Sequence, residues 1–315
     1  MLLVAPLHFY SFAGAIKKCK EADGYDVALA NDEYPNNIFG KILGKLSAYG
    51  LLSKLTRRRF ADEVLKKGDA YDICVVVKGR GLSPELVGDL LKVSRRVIGY
   101  NFDSFAFNAS PLRWLASATK YYTFDIADAR RNKLPRLDLF SLITPDPAPK
   151  KTSFRMSAIL RNHSTRLKYV DRVLQETGET DVFIYIFELN LITFVFNFLS
   201  NPALYLKYRK HIHFKSLPYS EYLRVMRESS FTIDFAHPKQ SGITMRCFEA
   251  AAAQTKIITN NRYVLEHPFF DPSNTIVHDI SGGDGTLKKT YEAMSPRVPD
   301  ARYRSLSMFL DELMA

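Results

Sequence analysis

The stretch Phe231-Thr-Ile-Asp-Phe-Ala-His-Pro-Lys-Gln-Ser-Gly-Ile-Thr-Met-Arg-Cys-Phe-Glu-Ala-Ala-Ala-Ala-Gln-Thr-Lys-Ile-Ile-Thr-Asn260 decides the fold. An apolar strand, a polar loop, an alanine-rich helix and a second apolar strand follow one another with almost no slack. Phe231 to Ala236 reads as the first strand. The loop after it carries His237, Lys239, Gln240, Ser241, Thr244 and Arg246, in the place where open α/β sheets bind their ligands. A helix begins near Thr244 and holds Glu249 in its early turns. Ala250 to Ala253 strongly favour helix and allow close packing on a sheet. Lys256 to Thr259 returns as a buried strand, so the whole stretch is a ligand-binding crossover.

Outward from this crossover the same alternation continues. In the first half, Leu2 to Leu7, Val27 to Ala30, Ile73 to Val77, Val97 to Tyr100 and Tyr121 to Phe124 are short apolar runs separated by helix-length patterned segments. Helices are expected at about Phe12 to Ala22, Ile38 to Lys67, Ser83 to Val93 and Pro111 to Ala118, with Ser83 and Ser110 as N-caps. Three prolines within five positions, Pro145 to Pro149, suit a semi-rigid linker and place a domain boundary between Leu142 and Lys151. Beyond it come a strand at about Arg155 to Leu160, a helix from Thr165 to Glu176 and a strand at Val182 to Phe187. Further strands are expected at Ile212 to Phe214, Thr232 to Phe235, Ile257 to Thr259 and Thr275 to His278, and a final helix at about Tyr303 to Leu313. Alternating strands and helices imply parallel sheets covered by helices. The expected fold is therefore α/β, with two Rossmann-like domains.

A chain of 315 residues with 46% hydrophobic content can bury two ordinary cores, and disorder is not expected. The net charge of +11 calls for an anionic partner: nucleotide phosphates, nucleic acid or an acidic membrane surface. No nucleic-acid-binding motif accompanies the charge, so nucleic acid is set aside. Three scattered cysteines, Cys19, Cys74 and Cys247, suggest neither a disulfide framework nor a zinc site and fit a reducing cytoplasm. Cys247, among apolar neighbours, reads as a core thiol. The N-terminal run is broken by Pro6 and His8 and reads as a strand. Val182 to Leu199, the most apolar later segment, is interrupted by Glu188, Asn190 and Asn197, so no transmembrane helix is expected.

A second polar group, Gly99-Tyr-Asn-Phe-Asp-Ser-Phe-Ala-Phe-Asn108, ends another strand. Asp103 and Ser104 can bond sugar hydroxyls, or Asp103 can serve as a general base; the plainer alternative is an Asx-type cap that orders the loop. Asn108 joins Ser104 as an acceptor-side candidate. Asp125 and Asp128 sit at a helix start and read as caps. Ser281-Gly-Gly-Asp-Gly-Thr286 lacks the Lys-Ser/Thr ending of a phosphate loop and reads as a turn. No group of His, Asp and Cys has metal-ligand spacing, so no metal site is expected.

The elements Val75-Val-Val-Lys-Gly79, Tyr100-Asn-Phe-Asp-Ser-Phe105, Thr123-Phe-Asp-Ile-Ala-Asp128, Leu139-Phe140 and His237 to Glu249 occur in an order that resembles a family of bacterial capsule and lipopolysaccharide biosynthesis proteins. That family looks like glycosyltransferases of GT-B type, related to the CgeB-like group. The likeness runs from about Val75 to Asn261. It implies two Rossmann-like domains facing a cleft: an acceptor-side domain over 1–145, a nucleotide-sugar-binding domain over 151–300, and a helix at 301–315 crossing back. The implied activity is transfer of a sugar from a nucleotide-sugar to a surface polysaccharide, lipopolysaccharide or lipid-linked glycan acceptor. Glu249 then holds the donor ribose. His237, Lys239, Gln240, Ser241, Thr244 and Arg246 contact phosphate or sugar, and Asp103 is the candidate base.

This chain departs from the family pattern at two places. Many retaining relatives carry two glutamates about seven residues apart here, whereas Ser241 or Gln240 stands near the place of the other glutamate. The glycine-bearing loop near the donor phosphates is replaced by Ser157-Ala-Ile-Leu-Arg-Asn-His-Ser-Thr-Arg166, where Arg161, His163 and Arg166 can substitute by charge. Two alternatives follow: a CMP-sugar transferase built on His237-Pro238, and a non-catalytic nucleotide-binding protein of glycan assembly. No tightly bound cofactor is expected, although a diphosphate donor can bring its own Mg2+. The segment 37–60 has apolar residues at helical intervals and ends near the basic triplet Arg57 to Arg59. It suits either an ordinary covering helix or a helix lying on an anionic inner-membrane face.

Overall fold

The computed structural model describes residues 1–7, 12–148, 150–162, 165–279, 285–294 and 298–315. Two compact units emerge. The first comprises Met1–Leu139, Pro238–Gly242 and Leu306–Ala315; the second comprises Phe140–His237 and Ile243–Ser305.

In the first unit the strands β1 (Leu2–Ala5), β2 (Ala28–Asn31), β3 (Cys74–Val77), β4 (Val97–Asn101) and β5 (Lys120–Thr123) form one sheet in the order β2-β1-β3-β4-β5, with every pair parallel. β1 stops before Pro6, which has no N–H to give to a ladder. The strands are apolar nearly throughout because helices cover both faces. Five helices follow their strands: α1 (Phe12–Ala22), α2 (Ile38–Lys45), α3 (Tyr49–Glu63), α4 (Pro84–Val93) and α5 (Ile126–Asn132). Ser83 caps α4 by accepting from the Leu86 N–H, and Pro84 occupies the first turn. Leu2, Val4, Val76, Leu86, Leu90 and Trp114 centre the core.

Two helix expectations are corrected. The continuous helix over Ile38 to Lys67 is divided into α2, α3 and a short 3-10 turn at Leu65–Lys67. Gly40 and Gly44 weaken it, and Ser47 takes a left-handed backbone (φ 55°) that ends the first piece. Pro111 to Ala118 forms two 3-10 turns, Ser110–Arg113 and Leu115–Ser117, and no α-helix. The Trp114 indole N–H donates to the Gly79 carbonyl at 3.0 Å and anchors the segment between the turns. Ser110 is no N-cap either, because its hydroxyl donates to the Arg80 carbonyl at 2.6 Å.

In the second unit β6 (Phe154–Arg161), β7 (Val182–Phe187), β8 (Ile212–His213), β9 (Ser229–Asp234), β10 (Lys256–Thr259) and β11 (Thr275–Val277) form a parallel sheet in the order β11-β10-β9-β6-β7-β8. Its helices are α6 (Arg166–Thr177), α7 (Leu191–Ser200), α8 (Pro202–Tyr208), α9 (Tyr219–Glu228), α10 (Met245–Ala252) and α11 (Thr286–Met294). Met156, Leu160, Tyr169, Phe231 and Ile258 lie at the heart of this core. The last helix, α12 (Leu306–Met314), belongs to the first unit, where the Phe309 ring meets Tyr100 edge-on at 5.0 Å and Asp311 pairs with Lys20 at 3.0 Å.

Both strand orders reverse direction once. In the first sheet the reversal lies between β1 and β3, in the second between β6 and β9. At such a switch point the crossover connections leave to opposite faces, and a crevice opens beyond the carboxyl ends of the two strands.

Gly99 on β4 lies opposite Tyr121 on β5, and a Cβ there would stand 2.3 Å from the Tyr121 ring and 3.0 Å from Trp114. Both rings are buried and cannot swing away. Gly99→Ala is therefore expected to destabilise the protein by about 1–3 kcal/mol, read as a lower midpoint in urea unfolding. A midpoint equal to wild type would contradict this packing.

Candidate functional site

In the second unit the β6/β9 switch point is organised by Asp234, the last residue of β9. Its carboxylate is buried, so its lone pairs must be met by donors. Thr244 Oγ1 donates to Oδ1 at 2.7 Å, Thr259 Oγ1 to Oδ2 at 3.0 Å, and the Cys247 thiol to Oδ2 at 3.5 Å. These bonds fix the start of α10 and the end of β10 to one strand end. The Asn260 side chain adds a two-point clamp, accepting from the Ala236 N–H at 2.8 Å and donating to the Ala236 carbonyl at 2.9 Å. Burial and the Asp234 charge push the Cys247 thiol well above its ordinary range, which makes it a poor nucleophile.

Glu249 points into the same unit from α10 and is only 3% exposed. Tyr222 donates to Oε2 at 2.6 Å and Tyr219 to Oε1 at 2.8 Å; both phenols come from α9 and stack on one another. Burial raises the Glu249 carboxyl above its usual range, while the Tyr222 and Tyr219 hydroxyls and the Arg246 charge pull it down. Arg246 itself donates to the Ile159 carbonyl at 2.6 Å and the Ile233 carbonyl at 3.2 Å, which joins the two switch-point strands. Arg161 ends β6 half-buried, and its guanidinium has no hydrogen bond or ion pair among the described residues. Arg166 opens α6 and is also half-buried. His237 follows β9 half-buried, whereas His163 and the turn expected at Ser281 to Asp284 lie outside the described residues.

Lys239, Gln240 and Ser241 fall in the first unit with the rest of Pro238–Gly242, so they are not gathered in one unit with Thr244, Arg246 and Glu249. Asp125 is the reason. It caps α5 by accepting from the Asp128 N–H at 3.0 Å. The same carboxylate accepts from the Ser241 N–H and Ser241 Oγ, each at 2.6 Å, and from the Gly242 N–H at 3.2 Å. Ser241 Oγ in turn accepts from the Ala127 N–H at 2.8 Å. Lys239 is exposed and Gln240 half-buried, and the Lys239 carbonyl accepts from the Ser104 hydroxyl at 2.7 Å.

Asp103 follows β4 and pairs with Lys78 Nζ at 2.7 Å. The Asx turn in this loop is made by Asn101, whose Oδ1 accepts from the Asp103 N–H at 3.2 Å. Asn108 is buried, and neither its amide N nor its O has a partner among the described residues. Lys78 and Gly79, at the carboxyl end of β3, both take left-handed backbone conformations (φ 66° and 62°). The cost of this conformation falls on Lys78, which carries a Cβ, whereas Gly79 adopts it freely.

Several residues escaped the sequence reading. Asp32, just past β2, accepts from the Arg80 N–H at 3.2 Å. Burial, then the neighbouring Glu33 charge, push its carboxyl up to about 7. The signal was the polar triplet Asn31-Asp32-Glu33 directly after an apolar strand. Tyr219 and Tyr222 carry no motif, and only the fold brings them to Glu249. Among the described residues no group of His, Cys, Asp and Glu is arranged to hold a metal ion, and no helix is long and apolar enough to cross a membrane.

No protein-family model matches the sequence, and no curated protein matches it. Solved structures do. The chain is similar to AviGT4, a glycosyltransferase involved in avilamycin A biosynthesis, with TM-score 0.60, 10% identity, and 99% of this chain and 95% of that one covered. It is similar to the lipopolysaccharide outer core galactosyltransferase WaaB (TM-score 0.57, 10% identity, 99% and 98% covered). It is also similar to the UDP-GlcNAc 2-epimerase of Methanocaldococcus jannaschii (TM-score 0.55, 11% identity, 99% and 97% covered). The fold is that of the GT-B class, two parallel-sheet Rossmann-like units, and at these identities the likeness defines the fold alone.

The position of Asp32 fixes a pH dependence. In the folded protein its proton is held up to about pH 7, whereas the unfolded chain releases it near 4. Between those values the folded state binds more protons, so stability falls as pH rises through the window and levels off above it. Asp32→Asn keeps an acceptor for the Arg80 N–H and removes the titration. Urea unfolding from pH 4.5 to 7.5 is expected to show a wild-type decline steeper than that of Asp32→Asn by on the order of 2–4 kcal/mol. Parallel pH profiles would sink this assignment.

Proposed function

We propose that this chain is a glycosyltransferase that moves a sugar from a nucleotide-sugar, a UDP-sugar foremost, to a glycan or lipid-linked glycan acceptor. The capsule and lipopolysaccharide group that its motifs resemble supplies the acceptor class. The observation that carries the reading is the β6/β9 switch point of the second unit. There the Arg161 guanidinium, without a hydrogen bond or ion pair among the described residues, stands at one strand end, and the α10 N-terminus, locked by Asp234, stands at the other. A diphosphate suits that pair, since a guanidinium and the main-chain N–H groups of a helix start both favour phosphate oxygens. The names of similar structures add support: a galactosyltransferase, and an epimerase in complex with UDP-GlcNAc and UDP.

In this reading Glu249 accepts the ribose hydroxyls in place of the phenol of Tyr219, a residue with an exposed ring. As the bond from the sugar anomeric carbon to the phosphate oxygen breaks, its electron pair passes to the nucleotide diphosphate, where Arg161 stabilises it. The acceptor oxygen forms the new bond to that carbon. In an inverting reaction its proton passes to Asp103. His237 and Thr244 line the donor, and Ser104 and Asn108 serve the acceptor, Asn108 with an amide that has both donor and acceptor capacity unspent among the described residues.

A second reading, nucleotide binding without transfer, is favoured by a specific observation. Glu249 is already closed by two tyrosines, and Arg246 is spent on carbonyls. Calorimetry with UDP, GDP, CMP, CDP, dTDP and ADP, combined with an assay of UDP release from UDP-sugars, separates the two. The expected result is preference for UDP and slow donor hydrolysis, with binding about 10- to 100-fold weaker in Glu249→Ala and Arg161→Ala. Preference for CMP would turn the reading toward CMP-sugars. Binding without hydrolysis would leave the second reading, and binding of none of the nucleotides would remove both.

A further inference from the structure

We infer that the outer face of α7 docks on an anionic phospholipid bilayer. The inference is independent of the proposed function, because vesicle binding requires no turnover. Leu191, Ile192, Val195, Phe196 and Leu199 recur at i, i+1, i+4, i+5 and i+8, the spacing of one helix face. That face is open: Ile192 is 82% exposed, Phe196 72% and Leu199 71%. Isolated exposed apolar residues are ordinary, whereas a contiguous stripe of this kind marks an interaction surface.

The helix is firmly made. Asn190 and Thr193 form a reciprocal capping box at its start. On its inner side Phe194 packs edge-on against Tyr205 and Phe214, each at 5.6 Å, and Phe198 against Tyr205 at 6.1 Å. Beneath it the buried Glu188 carboxylate accepts from Asn197, Asn162 and Tyr205. The outer stripe is therefore presented on a rigid element whose inner side is already occupied.

Charge selects the occupant. Residues 189–220 contain no Asp or Glu but include Lys207, Arg209, Lys210 and Lys215 together with His211 and His213. Lys207 pairs with Asp171, whereas the Lys210 and Lys215 ammonium groups have no carboxylate partner among the described residues, and both residues are exposed. An apolar stripe on a basic stretch that holds no acidic residue matches the boundary of acyl chains and anionic headgroups. Ten residues rise about 15 Å, too short to span a bilayer and suited to lying in its plane. The segment at 37–60 is the poorer candidate, because Arg57 pairs with Asp89 and Arg59 with Glu63.

The test is flotation of the full chain with phosphatidylcholine vesicles, with and without about one third phosphatidylglycerol, alongside light scattering of the free protein. The expected result is binding to the anionic vesicles that weakens in about 0.5 M salt. Ile192→Glu/Phe196→Glu is expected to bind at least about 10-fold more weakly and Lys210→Glu/Lys215→Glu about 3- to 10-fold more weakly, with Leu46→Glu unchanged. All four substituted positions in α7 and after it are exposed, and circular dichroism checks that the variants fold. The inference is overturned by equal binding to neutral vesicles or by an Ile192→Glu/Phe196→Glu protein that floats like wild type. It is also overturned by a dimer that this variant dissociates while no vesicles are bound.

Discussion

A buried carboxylate must be given donors, and the arrangement of this chain's chemistry depends on how Asp234 obtains them. The residue ends a central strand, in a place where water cannot serve it. Its three donors come from the next helix and the next strand, so one unmet charge draws three elements of the crossover to a single point. Leaving such a group unpaired costs several kcal/mol, more than any single packing contact in the loop returns. Asp125 solves the same problem in the first unit with main-chain N–H groups from α5 and from Ser241 and Gly242. In the polar loop after β9, Asp125 thus holds Ser241 and Gly242, and Asp234 holds Thr244, while Lys239 is left exposed and Gln240 half-buried.

The parallel sheets explain why the charges collect where they do. Each crossover returns the chain to the amino end of the next strand, so loops, helix starts and polar side chains gather at the carboxyl ends. Asp32, Lys78 and Asp103 follow β2, β3 and β4 of the first sheet, and Arg161, Asp234 and His237 follow or end β6 and β9 of the second. These edges mix acid and base. The chain's excess of +11 is spread more widely, with part of it in the acid-free stretch around α7. Net charge alone therefore pointed to an anionic partner without saying which surface meets it.

The strands were legible because parallel strands buried on both faces leave unbroken apolar runs, and each of the eleven expected strands begins within three residues of its place. Local signals failed where a non-local contact decides. Nothing near Trp114 announces that Gly79 will accept its indole N–H and hold Pro111 to Ala118 in 3-10 turns. The loop of candidate ligands was visible in sequence, but not its division between units, since Asp125 and Ser241 lie 116 positions apart. Asp234 stood inside the quoted stretch and read as a strand residue, because its role appears only when Thr259 arrives from the next strand. The apolar run ending at Leu199 was equally visible, yet composition cannot tell a helix face that is covered from one that is open.

Glu249 shows how a closed carboxylate can still discriminate. Each of its oxygens holds one phenol hydroxyl, and burial would favour the proton if those donors were lost. A ligand that displaces the exposed Tyr219 without offering a hydroxyl leaves a buried oxygen unmet, at a cost of about 1–3 kcal/mol. A ribose diol returns the lost bond, so the carboxylate keeps both its partners and its charge. The exchange rewards a ligand that offers hydroxyls and penalises one that does not. Under the proposed function, then, Glu249 acts as a filter for sugar hydroxyls, and its share of donor binding adds to that of phosphate contacts such as those open to Arg161.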